Sequence, residues 1–402
     1  MSNNLTVAVI GCGAFSLHFM PLFKAHPLVH KVYVCDRLRE RADACAQKFG
    51  VEVIASFEEA LQRRDLNAIA IFTQRHLHGP QALAALAAGK HVYSAVPMAS
   101  EVEQCQQIVE LVRKSGLTYM MGETCYYYPS AMFCRETCRA GIFGKFVYGE
   151  AQYHHDIGFF SQNFRDDLRS AGIPPFYYPT HSTAMLLSAV DSYALKVVAF
   201  GYEDQEDDQF FKRGVNQWDN VFSNSYSMMK LANGGIARIN ECRRIGYKAP
   251  SSYVSSCYGT EGGYQFNNAQ HLLTVKTPTG VTLTDVSARV NPVAMTENSH
   301  DPEFKQKVAN HQWQWDSFAP IQQAEADRLP PSFKAPGMLN GHMASHQLLV
   351  DDFCQAAASG TLPPINAWEA ARWTIPGLIA HKSVLRDGEV LPVPDCGAAP
   401  KT

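Results

Sequence analysis

Short apolar runs alternate with amphipathic stretches through the first third of the chain. Leu5–Ile10 reads as a buried strand, a glycine turn and a helical stretch follow, and Val29–Cys35 reads as a second strand ending at Asp36. Helix-like Arg39–Phe49, strand-like Val51–Ala55, helix-like Phe57–Arg64, strand Ala68–Phe72, helix Gly79–Ala88 and strand His91–Ser94 come next. Strict alternation predicts a doubly wound α/β domain, a parallel sheet with helices on both faces, through about Met121. Beyond Tyr126 the strands lengthen and turn aromatic, at Phe146–His154, Phe222–Leu231, Gly235–Glu241 and Tyr253–Gly259, and Asn233-Gly234-Gly235 is the clearest hairpin turn. With helices at Ser130–Ala140, Ser182–Ala189 and His342–Ala358, this half predicts an α+β domain on a large, mostly antiparallel open sheet. The expected domains are residues 1–123 and 124–402, with Asp204–Val215 and Pro278–Pro331 as irregular segments.

The 402 residues are 46% hydrophobic and 18% charged, which removes a disordered chain. With 38 acidic against 35 basic residues no global field draws in nucleic acid or an anionic bilayer. No apolar run nears the roughly 20 residues that span a membrane, and the start has no charged segment ahead of an apolar one, so a cytoplasmic protein is expected. The eleven cysteines are odd in number and lack C-x-x-C spacing, which predicts reduced thiols. Cys134 and Cys138, one helical turn apart with no histidine or cysteine partner nearby, read as core, and His342 and His346 have ligand spacing but no third ligand in sequence reach, so no metal is expected.

Gly11-Cys12-Gly13-Ala14-Phe15-Ser16 follows a strand and opens a helix, a G-x-G-x-x-S variant of the dinucleotide fingerprint. Gly11 permits the tight turn, Gly13 lets the backbone approach a pyrophosphate, and the helix N-terminus carrying Ala14 and Phe15 supplies amide donors. Asp36, about twenty residues on, suits a ribose diol and favours NAD over NADP, whereas neighbouring Arg37 suits adenine stacking or a phosphate. Thr73, His76 and His78 follow the fourth strand at the carboxyl edge and are expected to line the cofactor crevice. Glu123 closes the domain, either at the nicotinamide ribose or in a structural hydrogen bond.

Gly89-Lys90-His91-Val92-Tyr93 running into Pro97, after such a first half and before such a second, resembles the Gfo/Idh/MocA oxidoreductases over nearly the whole chain. The resemblance implies a Rossmann domain, NAD, and a homodimer or homotetramer. The usual signature there continues E-K-P, but this chain reads Ser94-Ala95-Val96-Pro97, so Val96 stands where the resemblance implies an acid/base lysine. Tyr153, His154, His155 and Asp156 in Gly149–Asp156, then Tyr178-Pro179-Thr180-His181, then Ile365–Ser383, resemble the NAD-dependent glycosidases of glycoside hydrolase family 109, which also carry valine at that position. Ala95 departs from the glutamate common in those relatives.

Along an alternating strand Tyr153 and His155 share one face, and Gln152 and His154 the other. Tyr178 and His181, three apart at a helix start, project toward one place, and an imidazole at a helix N-terminus tends to stay neutral and able to accept a proton. Catalytic roles are therefore expected for Tyr153, Tyr178, His181 and His155, against the competing reading of a packed aromatic cluster with satisfied polar tips. Arg238, Arg243 and Arg244, in a basic run reaching Lys248, offer an arginine for an acidic group on a sugar, with Arg165 as a further candidate, against a solvated sheet edge. The expected activity is glycoside hydrolysis by transient NAD-dependent oxidation of a small-molecule sugar substrate at C3, elimination, water addition and hydride return. The alternative is an NAD-dependent sugar or cyclitol dehydrogenase.

Overall fold

The computed structural model describes residues 4–159, 171–246, 251–291, 317–335, 338 and 340–400. Its contacts form two compact units, each built from separate stretches of chain. The first is Met1–Tyr127 with Asn291–Ala371 and Cys396–Thr402, and the second is Tyr128–Val290 with Arg372–Asp395. The expected single cut after residue 123 carried no sign of this return, because the returning segments bear no boundary signal of their own.

The first unit holds a six-stranded parallel sheet in the order β3-β2-β1-β4-β5-β6, from Leu5–Ile10 (β1), Val29–Cys35 (β2), Glu52–Val53 (β3), Ala68–Ile71 (β4), His91–Ser94 (β5) and Tyr119–Met121 (β6). Val7, Val9, Ile69, Ile71 and Val92 are fully buried, as central parallel strands covered on both faces require. The returning helix His346–Ser359 packs on the helix Ser16–Ala25, and Phe23 and Tyr93 meet Phe353 edge-on at 6.3 and 5.7 Å.

Buried polar groups fasten the same helix. The Arg328 guanidinium donates to Asp351 Oδ2 (2.6 Å), Asp352 Oδ1 (2.7 Å) and Glu325 Oε2 (2.7 Å). His26 Nδ1 accepts from the Leu28 amide, which leaves Nε2–H to donate to Asp351 Oδ1 at 3.1 Å. Tyr127 Oη donates to Asp352, whose carboxyl burial pushes up to about 6 against the pull of Arg328.

The second unit holds a nine-stranded sheet in the order β14-β13-β12-β11-β7-β10-β9-β8-β15. The strands are Phe146–His154 (β7), Ala194–Glu203 (β8), Phe222–Leu231 (β9), Ile236–Cys242 (β10), Ser251–Gly259 (β11), Gly262–Phe266 (β12), His271–Thr277 (β13), Gly280–Asp285 (β14) and Leu391–Pro392 (β15). Every pair is antiparallel except β7 with β10. The helix Thr180–Ala189 covers one face of β7, β10 and β11. Phe200, Tyr226 and Met228 remain 40–57% exposed on the sheet.

Three expectations change. Gly280–Asp285 is a strand within the segment read as irregular, its alternation disguised by exposure of both faces. The helix expected from Gly79 starts at Arg75, with Pro80 inside it, so His76 and His78 are helical. The helix expected from His342 starts at His346. Residues His342, Met343 and Ala344 have φ of 46°, 52° and 66°, a left-handed turn of non-glycine residues that follows Gly341. Cys134 is buried and Cys138 half-buried, in keeping with the core reading.

Candidate active site

The dinucleotide motif in the first unit has the geometry its glycines predict. Gly11 has φ +96°, and a Cβ there would lie 2.6 Å from Phe72 O, so the turn closes only without a side chain. A Cβ on Gly13 would meet nothing within 4 Å, which leaves that backbone open to approach. Ser16, in place of a third glycine, is buried and donates to Gly13 O at 2.8 Å, tying the loop to its helix. Asp36 directly follows β2, its carboxylate accepting from the Cys12 amide (2.7 Å) and the Leu38 amide (2.9 Å), one oxygen each, so it is fixed beside the glycine loop. Glycines that admit a phosphate, a helix N-terminus behind them and an oriented carboxylate form a donor set that fits NAD.

The other expected cofactor residues divide. The Phe15 ring packs edge-on against Phe19, Phe72, His342 and His346, which leaves its backbone at the helix start as its offering. Arg37 is exposed, Ala14 is exposed and His76 is half-buried. Thr73 Oγ1 donates to Gln81 Oε1. His78 is 1% exposed with Nδ1 2.8 Å from Pro97 O and Nε2 3.0 Å from Thr73 O. Burial pushes that imidazole down to about 4, so it is neutral, donates to one carbonyl at a time, and serves as a bridge inside the fold. Val96 and Pro97 are buried, and Val96 has no proton to transfer. Glu123 is fully buried, its Oε1 accepting from the Cys125 amide at 2.9 Å.

The second unit gathers the expected proton-transfer groups. β7 directs Tyr153 and His155 to the face under the helix Thr180–Ala189, their rings 5.4 Å apart. His154, on the other face, meets Tyr253, and burial together with the Arg243 charge lowers its imidazole. A short turn, Pro175–Tyr177, ends at Tyr178, with Pro179 as N-cap and His181 in the first helical turn. Tyr178 Oη stands 3.1 Å from His181 Nε2, and the rings are nearly perpendicular. The Tyr153 ring lies 5.0 Å from His181 and 6.0 Å from Tyr178. His181 is 4% and Tyr153 8% exposed. Of the Ile365–Ser383 segment, the part from Arg372 on belongs to the second unit and supports this arrangement. Thr183 Oγ1 donates to Trp373 O at 2.7 Å, and a Cβ on Gly377 would lie 2.3 Å from the Pro179 ring.

The arginines are each paired within the chain. Arg238 meets Glu150 across the β10–β7 register. Arg244 pairs with Asp204 and Asp208 and so pins the segment after β8. Arg243, 4% exposed, donates to Glu241 Oε2 at 3.2 Å, and its guanidinium carbon lies 4.9 Å from the centre of the Tyr153 ring and 6.0 Å from that of Tyr178. Glu241 is fully buried and accepts from Ser182 through its other oxygen. Arg165 and Lys248 lie outside the described residues. Glu241 and Ser182 escaped the sequence reading. Their signal was a glutamate continuing the inward alternation Ala237, Ile239, Glu241, where a buried carboxylate must have a partner.

Residues 5–123 match the family model described as an oxidoreductase family with an NAD-binding Rossmann fold, GFO_IDH_MocA. The chain carries the NAD-binding Rossmann domain of the Gfo/Idh/MocA oxidoreductases over those residues. Its first unit is accordingly an NAD-binding Rossmann fold. A glycosyl hydrolase family 109 protein of Streptomyces filamentosus is 24% identical over 98% of this chain and 77% of its own length. One of Saccharopolyspora erythraea is 22% identical over 97% and 82%. Levoglucosan dehydrogenase in complex with NADH has a similar fold, with a TM-score of 0.72 at 18% identity, covering 98% of this chain and 100% of that one. An oxidoreductase from Agrobacterium radiobacter, in complex with NAD+, L-tartaric acid and magnesium, gives 0.70 at 14% over 97% and 98%. Among the described residues no helix is long and apolar enough to cross a membrane.

Proposed function

We propose that this Gfo/Idh/MocA protein oxidises a carbinol carbon of a sugar or cyclitol, with Tyr178 and His181 as its proton-transfer pair. NAD, when bound, accepts the hydride. The hydroxyl on that carbon must lose its proton as the carbon loses hydride. Tyr178 accepts that proton on its oxygen while passing its own to His181 Nε2, which leaves a carbonyl and an imidazolium. The observation that carries the reading is the 3.1 Å contact between the buried imidazole and the phenol, in a chain where Val96 cannot relay a proton. Carbohydrate as substrate class is supported by the names of the full-length relatives and of levoglucosan dehydrogenase. The pairing of Arg238, Arg243 and Arg244 with carboxylates of the chain favours a substrate without an acidic substituent.

Two observations favour a second reading, net glycoside hydrolysis. The full-length relatives bear the glycosidase name, and Tyr153 supplies a second phenol beside the pair. Oxidation at C3 acidifies the C2 proton, a base such as Tyr153 removes it, the aglycone leaves C1, water adds to the enone and the hydride returns. Incubation with NAD+ and a panel of free sugars, cyclitols and nitrophenyl glycosides separates the readings. NADH accumulating at 340 nm marks the dehydrogenase, and NAD-dependent nitrophenol release without NADH marks the glycosidase. Neither signal with any compound would contradict both.

A further inference from the structure

Arg243 carries a charge that the proton-transfer scheme has not used. It is anchored on four sides. Its amide donates to Asn224 Oδ1 at 2.9 Å, its carbonyl accepts from the Ile157 amide at 2.8 Å, Nη1 donates to Cys242 O at 3.2 Å and Nη2 to Glu241 Oε2. Glu241 lies beside Tyr153 in the parallel β10–β7 register, and its second oxygen is held by Ser182, next to His181 in sequence. Ser182, Glu241 and Arg243 thus form a buried series that ends with a planar cation against two phenol rings.

We infer that Arg243 is a positioning residue, held by Glu241 against the Tyr153 and Tyr178 rings so that the Tyr153 phenol gives up its proton more readily than an ordinary tyrosine. The inference rests on the reading of these phenols as proton-transfer groups. The ion pair has no net charge but a direction, because its guanidinium stacks on the ring while Ser182 takes the far carboxylate oxygen. A cation over an aromatic face stabilises the added electron density of a phenolate. Among the described residues, His155 on its own strand and Tyr178 and His181 from the helix side meet the Tyr153 ring, and Glu241 stands beside it in the β10 register. Among the described groups that meet the Tyr153 ring, Arg243 is the guanidinium. This separates Arg243 from Arg238, which pairs with Glu150 at the exposed side of the sheet and touches neither phenol.

The test is a tyrosinate absorbance titration at 295 nm of the full chain minus that of Tyr153→Phe, which isolates one phenol among 17 tyrosines. The same difference is then taken on an Arg243→Met/Glu241→Gln background, which removes both charges together and strands neither. The expected midpoint in the native background is lower by about one pH unit, with Arg243→Lys in between. Equal midpoints, or a higher one in the native background, would overturn the inference. Should the double variant fail to fold, the native difference alone decides. A midpoint at or above the ordinary tyrosine value of about 10 overturns it, and one clearly below upholds it. Neither readout needs turnover, so an inactive sugar panel with an acidic Tyr153 defeats the proposed function alone, and an active panel with an ordinary Tyr153 defeats this inference alone.

Discussion

In the proposed reaction Tyr178 and His181 do different work although they form one contact. There the half-buried phenol is the member of the pair that a substrate hydroxyl reaches, and the imidazole behind it is the proton's destination. Tyr178→Phe and His181→Ala are each expected to lower turnover by about a hundredfold or more. NAD affinity, measured by fluorescence titration, should stay within about twofold, since Gly11, Gly13 and Asp36 belong to the other unit. Loss of NAD binding in either variant, or near-native rates in both, would contradict these roles. Spacing made this pair legible, because a three-residue interval at a helix start leaves the two side chains one place to meet. Arg243 was legible only as a charge. Whether an arginine faces a substrate or its own chain depends on the carboxylate that meets it, and although Glu241 stands only two positions before Arg243, the pairing shows only in the fold. His78 shows the same limit from the other side, since a histidine after a strand reads as cofactor-facing until both its nitrogens are found against backbone carbonyls.

Among the elements, the helix His346–Ser359 relies most on a single remote side chain. Arg328 holds Asp351 and Asp352, of which 3% and 6% of the side chains are exposed. Arg328→Met would leave two carboxylates without their cation in a poorly solvated place. Breaking a fully buried pair costs about 3–5 kcal/mol, but 35% of the Arg328 side chain meets solvent, so a loss nearer 2–3 kcal/mol is expected in urea unfolding. A midpoint unchanged from native would show that water replaces the guanidinium. Sequence periodicity found both the helix carrying these aspartates and the strands of the parallel sheet, since burial on one or both faces writes itself into apolar spacing. It misplaced the starts at Gly79 and His342. A proline resembles a first-turn residue wherever it stands, and the left-handed residues His342–Ala344 are not glycines, so the turn runs further than the preceding Asn340-Gly341 signals.

At the scale of the whole molecule the dinucleotide motif and the proposed proton-transfer pair lie in different compact units, and neither unit is continuous in sequence. The order of fold classes was legible because strand spacing changes after Tyr126. The return of 291–371 to the first unit was not, because helices that pack on a remote sheet carry the same amphipathic pattern as helices that pack locally. The central claim is that this protein moves hydride between a sugar carbon and NAD, whichever net reaction follows. Stopped-flow absorbance at 340 nm, with NAD-loaded protein in excess over each sugar or glycoside in turn, tests it most directly. The account predicts a rise within a single turnover, lasting if the sugar is released oxidised and decaying if the hydride returns. A flat trace with every sugar and glycoside would contradict it.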